Sequence, residues 1–162
     1  MLRYHRHGSG PALVLQHGFL GGAGYWAPQI EALCESFGVI APDLAGFAGS
    51  AGEPVRASIR GHAEALIELL DALGIERFHL MGHSMGGMVA QQVALDWPRR
   101  VDRLLLYGTA SKGFLDDRFE SLDESIERIE RLGTEACAAH IGKGHAGAGK
   151  RAVREIVHDA PR

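Results

Sequence analysis

Cysteine is scarce in this chain of 162 residues, which contains only Cys34 and Cys137. The two are far apart and form no C-x-x-C pair, so we expect two buried thiols rather than a disulfide or a zinc site. No apolar run approaches the roughly 18 residues that span a bilayer. Residues 1–7 also lack the apolar segment of a signal peptide. We therefore expect a cytoplasmic protein that does not bind a membrane.

An excess of charge of one sign is missing as well. The 17 Lys and Arg residues nearly balance the 20 Asp and Glu residues, and the formal net charge is −3 at pH 7. This balance gives no reason to expect nucleic acid or an anionic surface as a partner. Among nine histidines, only His5 and His7 approach a metal-ligand spacing, and such a terminal pair is usually solvated surface. We expect no metal site.

Short apolar runs alternate with amphipathic stretches along the first two thirds of the chain. Buried strands are predicted over residues 12–16, 38–42, 77–81 and 101–107, with a further short strand over residues 2–7. Apolar side chains at helical spacing predict helices over residues 26–37, 58–73 and 88–97. This alternation favours an α/β fold with a doubly wound, mostly parallel sheet that is covered on both faces.

The pattern changes after Gly108. Apolar residues at Leu122, Ile126, Ile129 and Leu132 predict an amphipathic helix, and the glycine-rich residues 142–150 predict a loop. Those glycines also match a dinucleotide-binding pattern, but no strand precedes them, so we expect no nucleotide cofactor. We divide the chain into an α/β core over residues 1–110 and a helical part over residues 111–162.

A G-x-S-x-G pattern, Gly82-His83-Ser84-Met85-Gly86, lies between a predicted strand and a predicted helix. In that setting the serine occupies a strained turn that lifts its hydroxyl above the strand ends. Larger side chains at Gly82 or Gly86 would collide with the neighbouring strand and helix, so both glycines are expected to be structural. Ser84 is the candidate nucleophile. The alternative is that Ser84 merely caps its helix.

A second segment, His17-Gly18-Phe19, follows the first buried strand. Ligand crevices in parallel sheets lie outside the carboxyl ends of the strands, so this segment and Ser84 can face one crevice. The backbone N–H groups of Phe19 and Met85 would then form an oxyanion hole, and Gly18 would permit the close approach. Taken alone, His-Gly is a common turn dipeptide.

Together these motifs resemble the α/β-hydrolase superfamily. The matching residues also include the stretch 42–50, Pro-Asp-Leu-Ala-Gly-Phe-Ala-Gly-Ser, in which Ala48 replaces a glycine of the family pattern. The similarity extends from about Leu2 to Thr109. It implies a serine hydrolase without a cofactor that attacks an ester, lactone, thioester or activated carbon–carbon bond and forms an acyl-enzyme. A small carboxylic ester or lactone is the expected substrate, His17 is expected to be structural, and residues after Thr109 would begin a helical cap.

The same resemblance implies an acid and then a histidine base after Ser84. No later strand that could carry them is evident. His140, His145 and His158 lie in segments without a family counterpart, and the spacing of Asp116 and Asp117 from the last strand is too long for the acid. We therefore expect the acid and base to be absent from the chain.

This absence leads us to expect a fragment of a longer enzyme that is also clipped at its N-terminus, or a chain completed by another chain. Residues 101–107 would then form an exposed sheet edge, which is an aggregation hazard. We expect the isolated chain to be poorly soluble and nearly inactive in hydrolysis. The alternative is a non-catalytic protein of the same fold that binds a ligand or a partner.

Overall fold

A computed structural model of the protein describes residues 1–111 together with Glu127 and Arg131. Both of these isolated residues are helical and exposed, and the amphipathic pattern predicts a helix there. The rest of the predicted cap, the glycine-rich residues 142–150 and Cys137 lie outside the described residues. So do His140, His145, His158, Asp116 and Asp117.

Five strands within residues 1–111 form one sheet with the spatial order β1-β3-β2-β4-β5. Strands β2, β3, β4 and β5 are parallel to one another, and only β1 pairs in the antiparallel direction, with β3. The predicted mostly parallel α/β sheet is therefore confirmed. In this part of the chain β5 forms one edge of the sheet. The strands are β1 (Tyr4–His7), β2 (Ala12–Gln16), β3 (Gly38–Pro42), β4 (Phe78–His83) and β5 (Val101–Tyr107).

Three α-helices connect the parallel strands: α1 (Ala27–Leu33), α2 (Ile59–Ala72) and α3 (Met85–Asp96). The helix predicted over residues 26–37 is shorter than expected. A 3₁₀ turn over Ala23–Trp26 precedes α1, and after Leu33 the backbone N–H of Phe37 bonds back to the Leu33 carbonyl. The chain turns there into β3, so Phe37 packs against the core from a loop.

Apolar side chains cover both faces of the sheet. On one face α2 and α3 bury Leu66, Leu70, Val89 and Val93 against Val14, Leu80 and Val101. On the other face Trp26 and Ile30, before and within α1, pack against Leu15, Val39 and Ala41. This arrangement confirms the doubly wound prediction, and it places the turns after β2 and β4 together at the carboxyl edge, since these two strands are parallel neighbours.

The structure also bears on the predictions for Cys34 and for membrane-spanning segments. Cys34 is a free thiol, but it is only half-buried, so the expectation of a buried thiol is wrong for this cysteine. It follows the last residue of α1, where its side chain donates to the backbone carbonyl of Glu31. No helix in the described part of the chain is long and apolar enough to cross a membrane.

Candidate active site

The turn that carries Ser84 is a single residue. Strand β4 continues to His83 and α3 begins at Met85, so both elements extend further towards Ser84 than the predicted strand over residues 77–81 and helix over residues 88–97. Ser84 has φ 54° and ψ −124°, a backbone conformation that a residue with a side chain adopts rarely. Such strain costs on the order of 1–3 kcal/mol and persists only when the surroundings enforce it.

The Ser84 side chain does not cap α3. It makes no capping hydrogen bond, whereas Ser58 accepts a bond from the Gly61 amide at the start of α2 in the usual manner. The interpretation of Ser84 as a mere helix cap is therefore wrong. Ser84 is half-buried at the carboxyl edge of the sheet, directly before the helix N-terminus, where the helix dipole favours negative charge.

Gly82 and Gly86 leave no room for a side chain. A Cβ added to Gly82 would lie under 3.0 Å from the backbone of Gly86 and Gly87. A Cβ on Gly86 would lie equally close to the backbone carbonyls of Gln16 and His17 at the end of β2. The sharp strand-to-helix turn therefore requires glycine on both sides of Ser84, because α3 passes directly over its own strand and over the end of β2.

Gly18 brings the loop after β2 against Ser84. A Cβ on Gly18 would lie 2.8 Å from the Cβ of Ser84 and 3.4 Å from its Oγ. Among the described residues, no acceptor is recorded for the backbone N–H of Phe19, which follows, or for that of Met85. The Phe19 side chain is 48% exposed and packs edge-on against Phe47 at 5.7 Å between ring centroids.

His17 is fully buried and both of its ring nitrogens are occupied. Nδ1 lies 2.8 Å from the Gly18 carbonyl, and Nε2 lies 2.9 Å from the Leu44 amide nitrogen. An amide can only donate, so Nε2 accepts and Nδ1 carries the proton. Burial lowers the pKa of His17, against smaller opposite effects of the Gly18 hydrogen bond and the Asp43 charge. The ring is neutral, and it ties the loop after β2 to the loop after β3.

Asp43 is a residue whose role sequence reasoning missed, although it lies in the matching stretch 42–50. Its buried carboxylate accepts from the Ala23 amide at 2.6 Å and from the Gly49 amide at 3.1 Å. It therefore fixes the start of the 3₁₀ turn before α1 and the 3₁₀ turn over Ala48–Ser50. The only sequence signal for this role is the position of Asp43 in the matching stretch 42–50, because no spacing rule predicts it.

An aromatic cluster lies beside the Ser84 turn. The His83 ring stacks on Tyr25 at 4.9 Å between centroids, with a 14° interplanar angle, and also contacts Tyr107 at 5.3 Å. Burial and then the neighbouring Tyr107 raise the pKa of Tyr25. Tyr25 and Tyr107 remain 49% and 40% exposed, so the cluster presents apolar surface at this edge of the sheet.

No histidine or carboxylate within residues 1–111 is recorded as hydrogen-bonded to Ser84 Oγ. His62 is buried on α2 and contacts Phe47, and His79 packs against Phe37. The described part of the chain contains no group of three or more His, Cys, Asp or Glu side chains that could hold a metal ion.

These features define a class of protein: a parallel α/β sheet with a serine at a strained strand-to-helix turn, facing the loop after a neighbouring strand. Comparison with known proteins agrees. Residues 11–131 match the family model described as alpha/beta hydrolase fold. The chain belongs to the α/β-hydrolase family.

Individual relatives span several activities. The chain is 37% identical over 127 residues to RutD of Agrobacterium fabrum, which is named as a candidate carbamate hydrolase, covering 78% of this chain and 48% of that protein. It is 43% identical over 126 residues to a fluoroacetate dehalogenase from Burkholderia sp, covering 75% and 40%.

Solved structures give the same result. A thermophilic esterase from Thermogutta terrifontis has a TM-score of 0.74 and 32% identity, with 86% of this chain and 52% of that chain covered. An enol-lactonase from Burkholderia xenovorans LB400 has a TM-score of 0.72 and 27% identity, covering 86% and 54%. The chain thus spans about half the length of the relatives it matches.

Proposed function

We propose that the chain carries the nucleophile of a serine hydrolase that acts on a small carboxylic ester or lactone. The observation that carries this proposal is the conformation of Ser84, which is strained, uncapped by its own side chain and packed against Gly18. Backbone strain of this kind clusters at functional sites, and a hydroxyl that does not cap its helix is available for nucleophilic attack.

The oxyanion would be stabilised by the backbone N–H groups of Phe19 and Met85. Both belong to residues adjacent to the contact between Gly18 and Ser84, and neither has a recorded acceptor within residues 1–111. Such donors are most effective when they are fixed before the charge develops. His17 supports this, because its two hydrogen bonds anchor the loop that presents the Phe19 amide.

The reaction would proceed through an acyl-enzyme. Ser84 Oγ bonds to the carbonyl carbon of the ester or lactone, the alcohol oxygen leaves with a proton, and water then releases the acid. Similar proteins named as an esterase and an enol-lactonase favour this substrate class. The chemistry needs no cofactor, but it does need a base and an orienting acid that residues 1–111 do not place at Ser84.

A fluorophosphonate probe tests the proposal in the 162-residue chain. We expect slow labelling that is located at Ser84 by mass spectrometry, because no base within residues 1–111 contacts its hydroxyl. Imidazole in the buffer should accelerate the labelling, since it can accept the hydroxyl proton. Ser84→Ala should abolish the labelling, and Ser36→Ala, at an exposed loop serine, should leave it unchanged. Labelling that survives Ser84→Ala, or none even with imidazole, would refute the proposal.

The second candidate is a non-catalytic protein of the same fold that binds a ligand in this crevice. It is favoured by one observation, the lack of a histidine or carboxylate bonded to Ser84 Oγ within residues 1–111. This candidate predicts that small carboxylates bind to the chain, detected by amide shifts of Phe19 and Met85 in NMR spectra, while Ser84 reacts with the probe no faster than other serines.

A further inference from the structure

The segment that follows β5 holds the backbone of Ser84 on both sides. The Ser84 N–H donates to the Tyr107 carbonyl at 3.1 Å, and the Thr109 hydroxyl donates to the Ser84 carbonyl at 2.7 Å. Both polar backbone groups of the strained residue are therefore bonded to residues that lie more than twenty positions later in the chain.

The fit between Thr109 and α3 is also steric. A Cβ on Gly87 would lie under 3.0 Å from three atoms of the Thr109 side chain, so the glycine leaves the space that Thr109 occupies. Gln91, one turn further along α3, donates to the carbonyls of Ala110 and Gly87 at 3.1 and 3.2 Å. These contacts fix residues 109 and 110 on the first two turns of the helix.

We propose that Thr109 is a positioning residue for Ser84, and that its hydroxyl keeps the Ser84 backbone in the strained conformation by holding the Ser84 carbonyl. The amides of Gly87 and Met88 also bond to this carbonyl, but the first turn of any helix provides such bonds. Thr109 adds a long-range constraint on the Ser84 carbonyl, beside the Tyr107 bond to the Ser84 N–H, and strained backbone requires such constraints. The inference rests on the proposed function in one respect, namely that the strained conformation serves a nucleophile.

The test compares Thr109→Val, which keeps the shape and removes the hydroxyl, with Thr109→Ser, which keeps the hydroxyl. The Cα and Cβ chemical shifts and the HN–Hα coupling of Ser84 report its backbone conformation in chain labelled with isotopic serine. We expect Thr109→Val to change them and Thr109→Ser to retain the wild-type values. Labelling of Ser84 by the fluorophosphonate should slow about threefold to tenfold in Thr109→Val, as expected for one lost hydrogen bond.

Gln92→Met is the matched control. Within the described part of the chain the Gln92 side chain bonds only to Asp96, in the same helix, so this variant should leave the Ser84 resonances unchanged. If Thr109→Val does not fold, Thr109→Ala removes the same hydroxyl and should give the same change. Wild-type Ser84 resonances in a folded variant without the hydroxyl would overturn the proposal, and so would an equal change in Thr109→Ser. If wild-type chain does not react with the probe, the proposed function fails, while the resonances still decide the role of Thr109.

Discussion

Gly18 offers the sharpest test of how closely the two loops must meet. Replacing it with alanine adds one methyl group 2.8 Å from the Ser84 Cβ and 3.0 Å from the His83 carbonyl. The φ of Gly18 is not in the left-handed region, so the cost of the substitution is steric. The loop or the Ser84 turn must move by several tenths of an ångström to reach the 3.4 Å at which such contacts become ordinary.

The magnitude follows from this overlap. Inserting a methyl group into well-packed structure typically costs about 1–3 kcal/mol, so the free energy of unfolding of Gly18→Ala should fall by that amount. A misplacement of about 1 Å can reduce a reaction rate about a hundredfold, and the smaller shift expected here should slow imidazole-assisted labelling of Ser84 about tenfold or more.

Gly24→Ala is the matched control. Gly24 lies in the same connection between β2 and α1, and a Cβ there would meet no atom within 4 Å. Urea denaturation and probe labelling of the two variants should therefore diverge, with Gly24→Ala unchanged or slightly more stable. If Gly18→Ala unfolds at the wild-type urea concentration and labels at the wild-type rate, the loops do not meet as described.

Two further predictions concern stability. Burial lowers the pKa of His17 and of His62 below the ordinary value of 6.5, so on acidification the unfolded chain binds protons before the folded chain does. The free energy of unfolding should therefore be constant well above pH 6.5, decrease as the pH falls below 6.5, and level off below the folded pKa values. Urea titrations between pH 5 and pH 8 (about 1.5 units on either side of the ordinary histidine value) measure how the free energy of unfolding changes with pH. His62→Gln should remove part of this pH dependence. A free energy of unfolding that rises on acidification would contradict the prediction. Ala48, which replaces a glycine of the family pattern, has φ 43°, so Ala48→Gly should stabilise the protein by about 1 kcal/mol or less, the strain relieved minus the added entropy of the unfolded chain. Ala51→Gly, at φ −59°, should destabilise it by a comparable amount, and equal effects in thermal denaturation would show that backbone strain is not the cause.

The sequence predicts most of the fold because its signals are local. Apolar runs bounded by glycine and proline gave β2, β3 and β5 with their observed bounds. Gly74 ends the α2 segment with φ 68°, as its position after a helical pattern indicates. The length of α1 was overestimated because Phe37 continues the apolar spacing although the backbone has already turned at Leu33. Periodicity reports which side chains are buried and does not report where a helix stops.

The candidate site is predictable only in part for the same reason. The glycines around Ser84 are recognisable because the G-x-S-x-G pattern lies within five consecutive residues, although Gly86 is required by the distant end of β2. Asp43 and Thr109 form hydrogen bonds with residues 20 and 25 positions away. No local sequence pattern around either residue predicts such a contact. Their roles depend on which loops the sheet order brings together, and that order is not readable from spacing.

The two hydrogen bonds of the His17 ring make it an unsuitable base for Ser84. To accept the hydroxyl proton, His17 would have to lose the Leu44 amide bond to Nε2 and hold a positive charge while fully buried. Each cost opposes the reaction, because an unpartnered buried amide costs about 1–3 kcal/mol and burial already lowers the pKa of this ring. A histidine that cross-links two loops in its neutral form is suited to holding the loop after β2 in place and unsuited to proton transfer. If Ser84 is a nucleophile, His17 is therefore not its base.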